Sequence, residues 1–184
     1  MPESRVPVVG ICAFSGTGKT TLLTKILPML RKRGVRVAVI KHAHHTFDLD
    51  YPGKDSYELR KAGATQMLVA SRQRLAVIRE YEPERAEPLL DDALAAIDAS
   101  LTDLVLIEGF KRESFPKIEL HRPSLGKPLM CTRDSTIIAV ASDAPLDLPP
   151  GTPLLDLNRP AQIADFILHW SGLAERLSDA GASA

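Results

Sequence analysis

An unbroken apolar run rich in valine, Val6 to Ala13, passes directly into Phe14-Ser15-Gly16-Thr17-Gly18-Lys19-Thr20-Thr21 and then into leucines and isoleucines at helical spacing. Such a run suits a central strand of a parallel sheet, buried on both faces. The glycines that follow suit a tight turn, and the apolar positions 22, 23, 26, 27 and 30 suit a helix ending near Gly34. Strand, glycine loop and helix in that order leave few folds open. Backbone N–H groups of such a loop form a concavity for phosphate oxygens, and the helix adds its positive end.

The general pattern is glycine, four residues, then glycine, lysine and serine or threonine. Here Ala13 replaces the first glycine, while Gly16 and Gly18 stay where the chain bends around phosphate. Ser15, Gly16, Thr17, Gly18, Lys19, Thr20 and Thr21 are the expected cradle. Lys19 is expected to reach the terminal phosphates, and Thr20 to supply a hydroxyl to Mg2+. A second carboxylate is expected from another strand end, and "DLVLIEGF" supplies Glu108 as metal ligand and catalytic candidate. Asp103 begins that strand, at the wrong end for this role, and reads as a capping residue.

Val35 to Ile40 completes a strand-helix-strand unit. Further along, the pattern predicts helices over 55–62, 88–97 and 160–173 and strands over 65–70, 75–78, 104–107 and 136–141. Lys117 to His121 alternates polar and apolar residues, as a half-exposed strand does. The expected architecture is α/β: a three-layer P-loop NTPase fold with a mainly parallel sheet. A single nucleotide-binding domain is expected over 1–175, with a flexible tail at 176–184. Residues 110–133 lack a helical pattern and carry three prolines, so they are expected to form a small β excursion off the sheet and a contact for a second subunit.

"KHAHHTFDLDYPGKDS", Lys41 to Ser56, is long for a mere connection. It is expected to face the glycine loop across a ligand crevice and to meet phosphate or a second anion. Asp48, Asp50 and Asp55 are candidates for holding magnesium or orienting water, Asp48 being the chosen catalytic one. Lys41 and Lys54 are candidates for phosphate, and helix capping by Asp55 competes with function. His42, His44 and His45 cluster with Asp48, but at spacings unlike a structural zinc pattern. Asp143, after another strand, is a candidate acceptor for the N1 and N2 groups of guanine. Arg72, Arg74, Lys111 and Arg112 are weaker anion candidates.

Lysine plus arginine and aspartate plus glutamate number 23 each, which argues against nucleic acid or an anionic membrane as partner. Two cysteines do not make a secreted disulfide framework. The start of the chain lacks a signal-peptide pattern, and a cytoplasmic setting is expected.

"SGTGKTTL", "IKHAHHTFDLDYPGKDSYELRKAGA", "DLVLIEGFK" and "PKIELHR" together resemble the MobB family of accessory proteins in molybdopterin-guanine dinucleotide biosynthesis, over most of residues 6–175. The resemblance implies a homodimeric protein that binds GTP with Mg2+ and hydrolyses it slowly. It further implies assistance to the guanylyltransferase MobA, which joins GMP to molybdopterin in molybdenum cofactor assembly. Two other readings are a small-molecule or nucleotide kinase, for which an arginine-rich lid is missing, and a non-catalytic nucleotide-dependent adapter. No arginine is evident in the sequence to neutralise charge at the phosphates, consistent with slow turnover.

Overall fold

A computed structural model of the chain describes residues 6–43 and 47–182. His44 and His45 lie outside the described residues. Two compact units are present, one built from residues up to His42 and from Leu90 onward, the other from Ala43 to Leu89.

The larger unit is a six-stranded sheet. Its strands are β1 (Val8–Cys12), β2 (Val37–Lys41), β5 (Leu104–Glu108), β6 (Lys117–His121), β7 (Ile137–Ser142) and β8 (Leu154–Asp156). They lie in the order β2-β5-β1-β6-β7-β8. Every pairing is parallel. All carboxyl ends therefore share one edge, where ligands of such sheets bind.

Side chains of β1 alternate between two cores. Val9, Ile11 and Ala13 join a cluster with Leu22, Leu23, Ile26 and Leu30 of α1 (Lys19–Lys32) and Ile163, Ala164 and Ile167 of α4 (Pro160–Trp170). α1 ends in Arg31 and Lys32, favourable cations at a helix carboxyl terminus, and the chain then reverses at Gly34 with φ 83°. Val105, Ile107, Phe110 and Phe115 form a second cluster on the opposite face, with Leu90 of α3 (Leu90–Ala95). Helices on both faces of a parallel sheet give the expected three layers.

The expected excursion at 110–133 is corrected. β6 is a central strand beside β1, and all five of its residues are buried. Ile118 and Leu120 face the α1 core, while Lys117, Glu119 and His121 are buried on the other face. Each finds partners there. Lys117 Nζ donates to the Glu113 carbonyl at 2.6 Å and pairs with Asp134 at 3.1 Å. Glu119 accepts from the backbone N–H groups of Met130 and Cys131 at 2.9 and 2.8 Å. The segment after β6 thus covers the polar side of the strand, and alternation signals two buried faces of different chemistry.

The closing helix also differs from expectation. It breaks at Gly172, φ 70°, and resumes as α5 (Leu173–Ala182), which covers much of the expected flexible tail. Leu173, Ala174 and Leu177 pack on the α1–α4 core and explain the order. β8 was missed, being three residues long.

The off-sheet element lies instead in the smaller unit. There β3 (Gln66–Ala70) and β4 (Leu75–Arg79) form an antiparallel hairpin in register Leu68↔Val77, following α2 (Asp55–Lys61). Arg60 of α2 is buried and pairs with both Asp48 and Glu80.

Candidate nucleotide site

The glycine loop joins β1 to α1 at the carboxyl edge. Gly16 and Gly18 take φ 82° and 107°, a region that favours glycine. Ala13 needs no such freedom: among described residues Phe110 is the only non-glycine with positive φ, so alanine fits the loop's first position. Thr17 is buried, and both its N–H and its hydroxyl donate to the Phe14 carbonyl, at 3.4 and 2.8 Å. Those bonds fold the loop on itself.

Gly18 is the N-cap of α1, with no side chain bonding the helix's first N–H groups and no acidic residue in the first turn. Helix N–H groups without a side-chain acceptor, and without a competing carboxylate, form a favourable anion site. Lys19 reaches back over the loop, its Nζ 3.5 Å from the Ala13 carbonyl, a bond at the limit of hydrogen-bonding distance. Ser15, Gly16, Thr20 and Thr21 are exposed around it.

Glu108 ends β5, the strand next to β1, in register with Ile11 and with Lys41 of β2. Its Oε1 accepts from the Thr20 hydroxyl at 3.4 Å. The structure thus brings together Lys19, Thr20 and Glu108. Two hard oxygen donors side by side fit a small divalent cation such as Mg2+, which binds carboxylate, hydroxyl, phosphate and water oxygens. Glu108 is held by its surroundings. The His42 N–H donates to its carbonyl at 2.8 Å, and the His42 ring stacks on Phe110 with centroids 4.4 Å apart. A side chain at Gly109 would meet His42 Cβ at 2.5 Å, so the close backbone approach there requires glycine. Phe110, at φ 47°, is buried and clamped by the His42 ring, which offsets a strained backbone.

Asp143 follows β7 and lies on the same edge. Its Oδ2 pairs with Arg122 at 2.5 Å, so one oxygen of the expected guanine acceptor is already engaged. Arg122 lies outside the glycine motif of the sequence. It follows β6 immediately, and once "KIELH" is a central parallel strand the next residue falls at the ligand edge. Its Nε donates to the Thr17 carbonyl at 3.0 Å. An arginine therefore does stand beside the loop, contrary to expectation.

Asp48 belongs to the smaller unit, where its Oδ1 pairs with Arg60 at 2.6 Å and accepts from the Asp50 N–H at 3.2 Å. Asp103 bonds Arg36 through both oxygens, which holds its carboxyl below the usual range; it is structural, as its place at the start of β5 implies. Among the described residues no three histidine, cysteine, aspartate or glutamate side chains are placed to hold a metal ion. Nor is any helix among them long and apolar enough to cross a membrane.

Residues 8–143 match the family model described as molybdopterin guanine dinucleotide synthesis protein B, MobB. The chain is 48% identical over 169 residues to the molybdopterin-guanine dinucleotide biosynthesis adapter protein of Escherichia coli, covering 91% of this chain and 95% of that protein. It is 46% identical to the adapter protein of the same description from Haemophilus influenzae, covering 91% of each. A crystal structure of molybdopterin-guanine biosynthesis protein B superposes with a TM-score of 0.67 at 31% identity, covering 89% of this chain and 99% of that one. The glycine loop, the carboxylate that ends β5 and these likenesses agree: the chain belongs to the MobB family.

Proposed function

We propose that the protein binds GTP with Mg2+ at the β1–α1 loop, hydrolyses it slowly, and acts as an adapter when GMP is joined to molybdopterin. One observation carries the nucleotide part: an uncapped helix N-terminus behind a glycine loop, with Thr20 and Glu108 paired at its mouth. The likeness to adapter proteins of molybdopterin-guanine dinucleotide biosynthesis supports the pathway.

In this reading the loop's N–H groups and Lys19 hold the terminal phosphates, and Lys19 exchanges its long bond to Ala13 for a phosphate oxygen. Thr20 and Glu108 hold magnesium, directly or through water. When bound, the metal supplies positive charge that neutralises the phosphates. Asp48 is given no reacting role, since its carboxylate holds the buried Arg60. The molybdopterin guanylyltransferase is the proposed partner, and molybdopterin or the molybdenum cofactor the proposed cargo. The proposed setting is cytoplasmic.

The protein is also proposed to be a homodimer. Leu68, Leu75 and Val77 share one face of the hairpin and are 56, 65 and 53% exposed. A two-stranded sheet with an uncovered apolar face is marginal alone, and a second copy would cover it.

The test is equilibrium binding of GTP and ATP with magnesium to wild type and Lys19→Ala, followed by turnover on the same samples. Expected are preference for GTP, slow hydrolysis and a loss of about ten- to a hundredfold in affinity in the variant, the scale of a hydrogen bond to a charged group. Preference for ATP with fast transfer to a small hydroxyl compound would support a kinase instead. Binding without hydrolysis, with guanylyltransferase stimulation intact, would reduce the protein to an adapter without catalysis.

A further inference from the structure

We propose that Arg122 is a positioning residue that fixes the Thr17–Gly18 peptide of the glycine loop, and that Asp143 is its tether rather than a reader of the base. The inference rests on the reading of that loop as a nucleotide site. It names residues that the glycine motif does not contain.

Three neighbouring strand ends meet here. β1 delivers the loop, β6 delivers Arg122 and β7 delivers Asp143, and the strands lie side by side in that order. The guanidinium uses two of its edges. Nε donates to the Thr17 carbonyl at 3.0 Å, and one terminal nitrogen pairs with Asp143 Oδ2 at 2.5 Å. The other terminal nitrogen lies 3.9 Å from where a side chain on Gly18 would begin. Arginine and aspartate are 34 and 24% exposed, so the pair is partly shielded from water.

The consequence follows from peptide geometry. In a planar trans peptide the carbonyl and the next N–H point to opposite sides. Holding the Thr17 oxygen outward on Arg122 therefore turns the Gly18 N–H the other way, away from the arginine. Gly18 has no Cβ and sits at φ 107°, so no side chain of its own restrains this peptide. The Thr17 side chain pins the preceding turn through Phe14. On the carbonyl side it is Arg122 Nε that bonds the Thr17 oxygen and resists rotation of the next peptide. A planar five-donor fork can bond a carbonyl and a carboxylate at once, which an ammonium group cannot do with the same geometry.

This division of labour predicts how affinity responds. A tether at Asp143 acts through the loop and is blind to the base, whereas a base reader changes the ratio of guanine to adenine nucleotides. Dissociation constants for magnesium complexes of GDP, GTP and ATP are measured on wild type, Arg122→Gln, Arg122→Lys, Asp143→Asn and the Arg122→Gln/Asp143→Asn pair. Amide hydrogen exchange of residues 14–20 is measured on the same proteins without nucleotide, with a urea unfolding curve as the control for folding.

Arg122→Gln is expected to speed exchange across the loop and to weaken GDP and GTP alike, by about tenfold. Arg122→Lys is expected to recover part of that loss. Asp143→Asn is expected to shift GTP and ATP by one common factor, and the double variant to be no worse than Arg122→Gln. Unchanged exchange and unchanged affinity in Arg122→Gln overturn the proposal. So does a variant that binds GDP and GTP normally but loses single-turnover hydrolysis, which would put Arg122 on the reacting phosphate. A changed GTP to ATP ratio in Asp143→Asn overturns the tether. If wild type binds no nucleotide while Arg122→Gln still loosens the loop, the nucleotide reading fails and the positioning of the peptide stands.

Discussion

Cys12 is the last residue of β1, one step before the glycine loop, and its thiol is pushed up to about 12. Burial is the largest cause, and the carboxylate of Glu119, opposite it on β6, adds to the effect. The thiol donates to the Ile118 carbonyl, so it behaves as a small neutral hydrophobe and not as a nucleophile. A folded-state value above the unfolded one means that the stability contribution is complete below about pH 9 and is lost as pH rises toward 12. By pH 10 the unfolded chain gains about 1.4 kcal/mol from ionising this thiol while the folded chain gains little. Urea unfolding of wild type and Cys12→Ala at pH 7 and pH 10 checks this. The gap between the two proteins should narrow by about 1.4 kcal/mol at the higher pH, and an unchanged gap would show that the thiol ionises freely in the fold.

Among the elements, β1 and β6 pack closely because Gly10 leaves room for Phe115. A side chain there would lie 2.4 Å from the Phe115 ring and 2.8 Å from the Lys117 stem, and both of those residues are buried. Gly10→Ala should therefore cost about 1–3 kcal/mol. Thermal unfolding reads the loss, and Phe115→Leu in the same chain should restore part of it; full stability in the single variant would show that the strand pair yields at no cost. The sequence displayed β1, α1, β2 and β5 clearly, because unbroken apolar runs and a glycine loop leave little choice of placement. It misled at Lys117–His121, where polar residues at every second position looked solvent-facing. What buries them is a set of non-local partners, Asp134 and the Met130 and Cys131 amides, and no local period encodes those. The same error hid Arg122 and sent the off-sheet excursion to the wrong segment. Lys19, Thr20 and Glu108 were legible because each sits beside a strand or helix end that the pattern fixes.

For the molecule as a whole, the exposed hairpin gives a direct test of association. Leu68→Lys with Val77→Lys sets like charges opposite each other on that face. Light scattering should show a dimer for wild type and a monomer for the variant, with the melting of the larger unit unaltered; a variant that stays dimeric would move the contact elsewhere. The order of strands also bears on how the chain is made. β1 takes both of its neighbours, β5 and β6, from about a hundred residues downstream, and β2 pairs with β5 as well. A ribosome releases the N-terminal end first. β1 and β2 therefore emerge as sticky strands with no mate, and wait until synthesis has passed His121 before β1 can be closed on both sides. The glycine loop that follows β1 is made before β5 and β6, yet it is framed by them only afterwards. Until then the nascent chain is a client for whatever shields apolar segments at the tunnel exit.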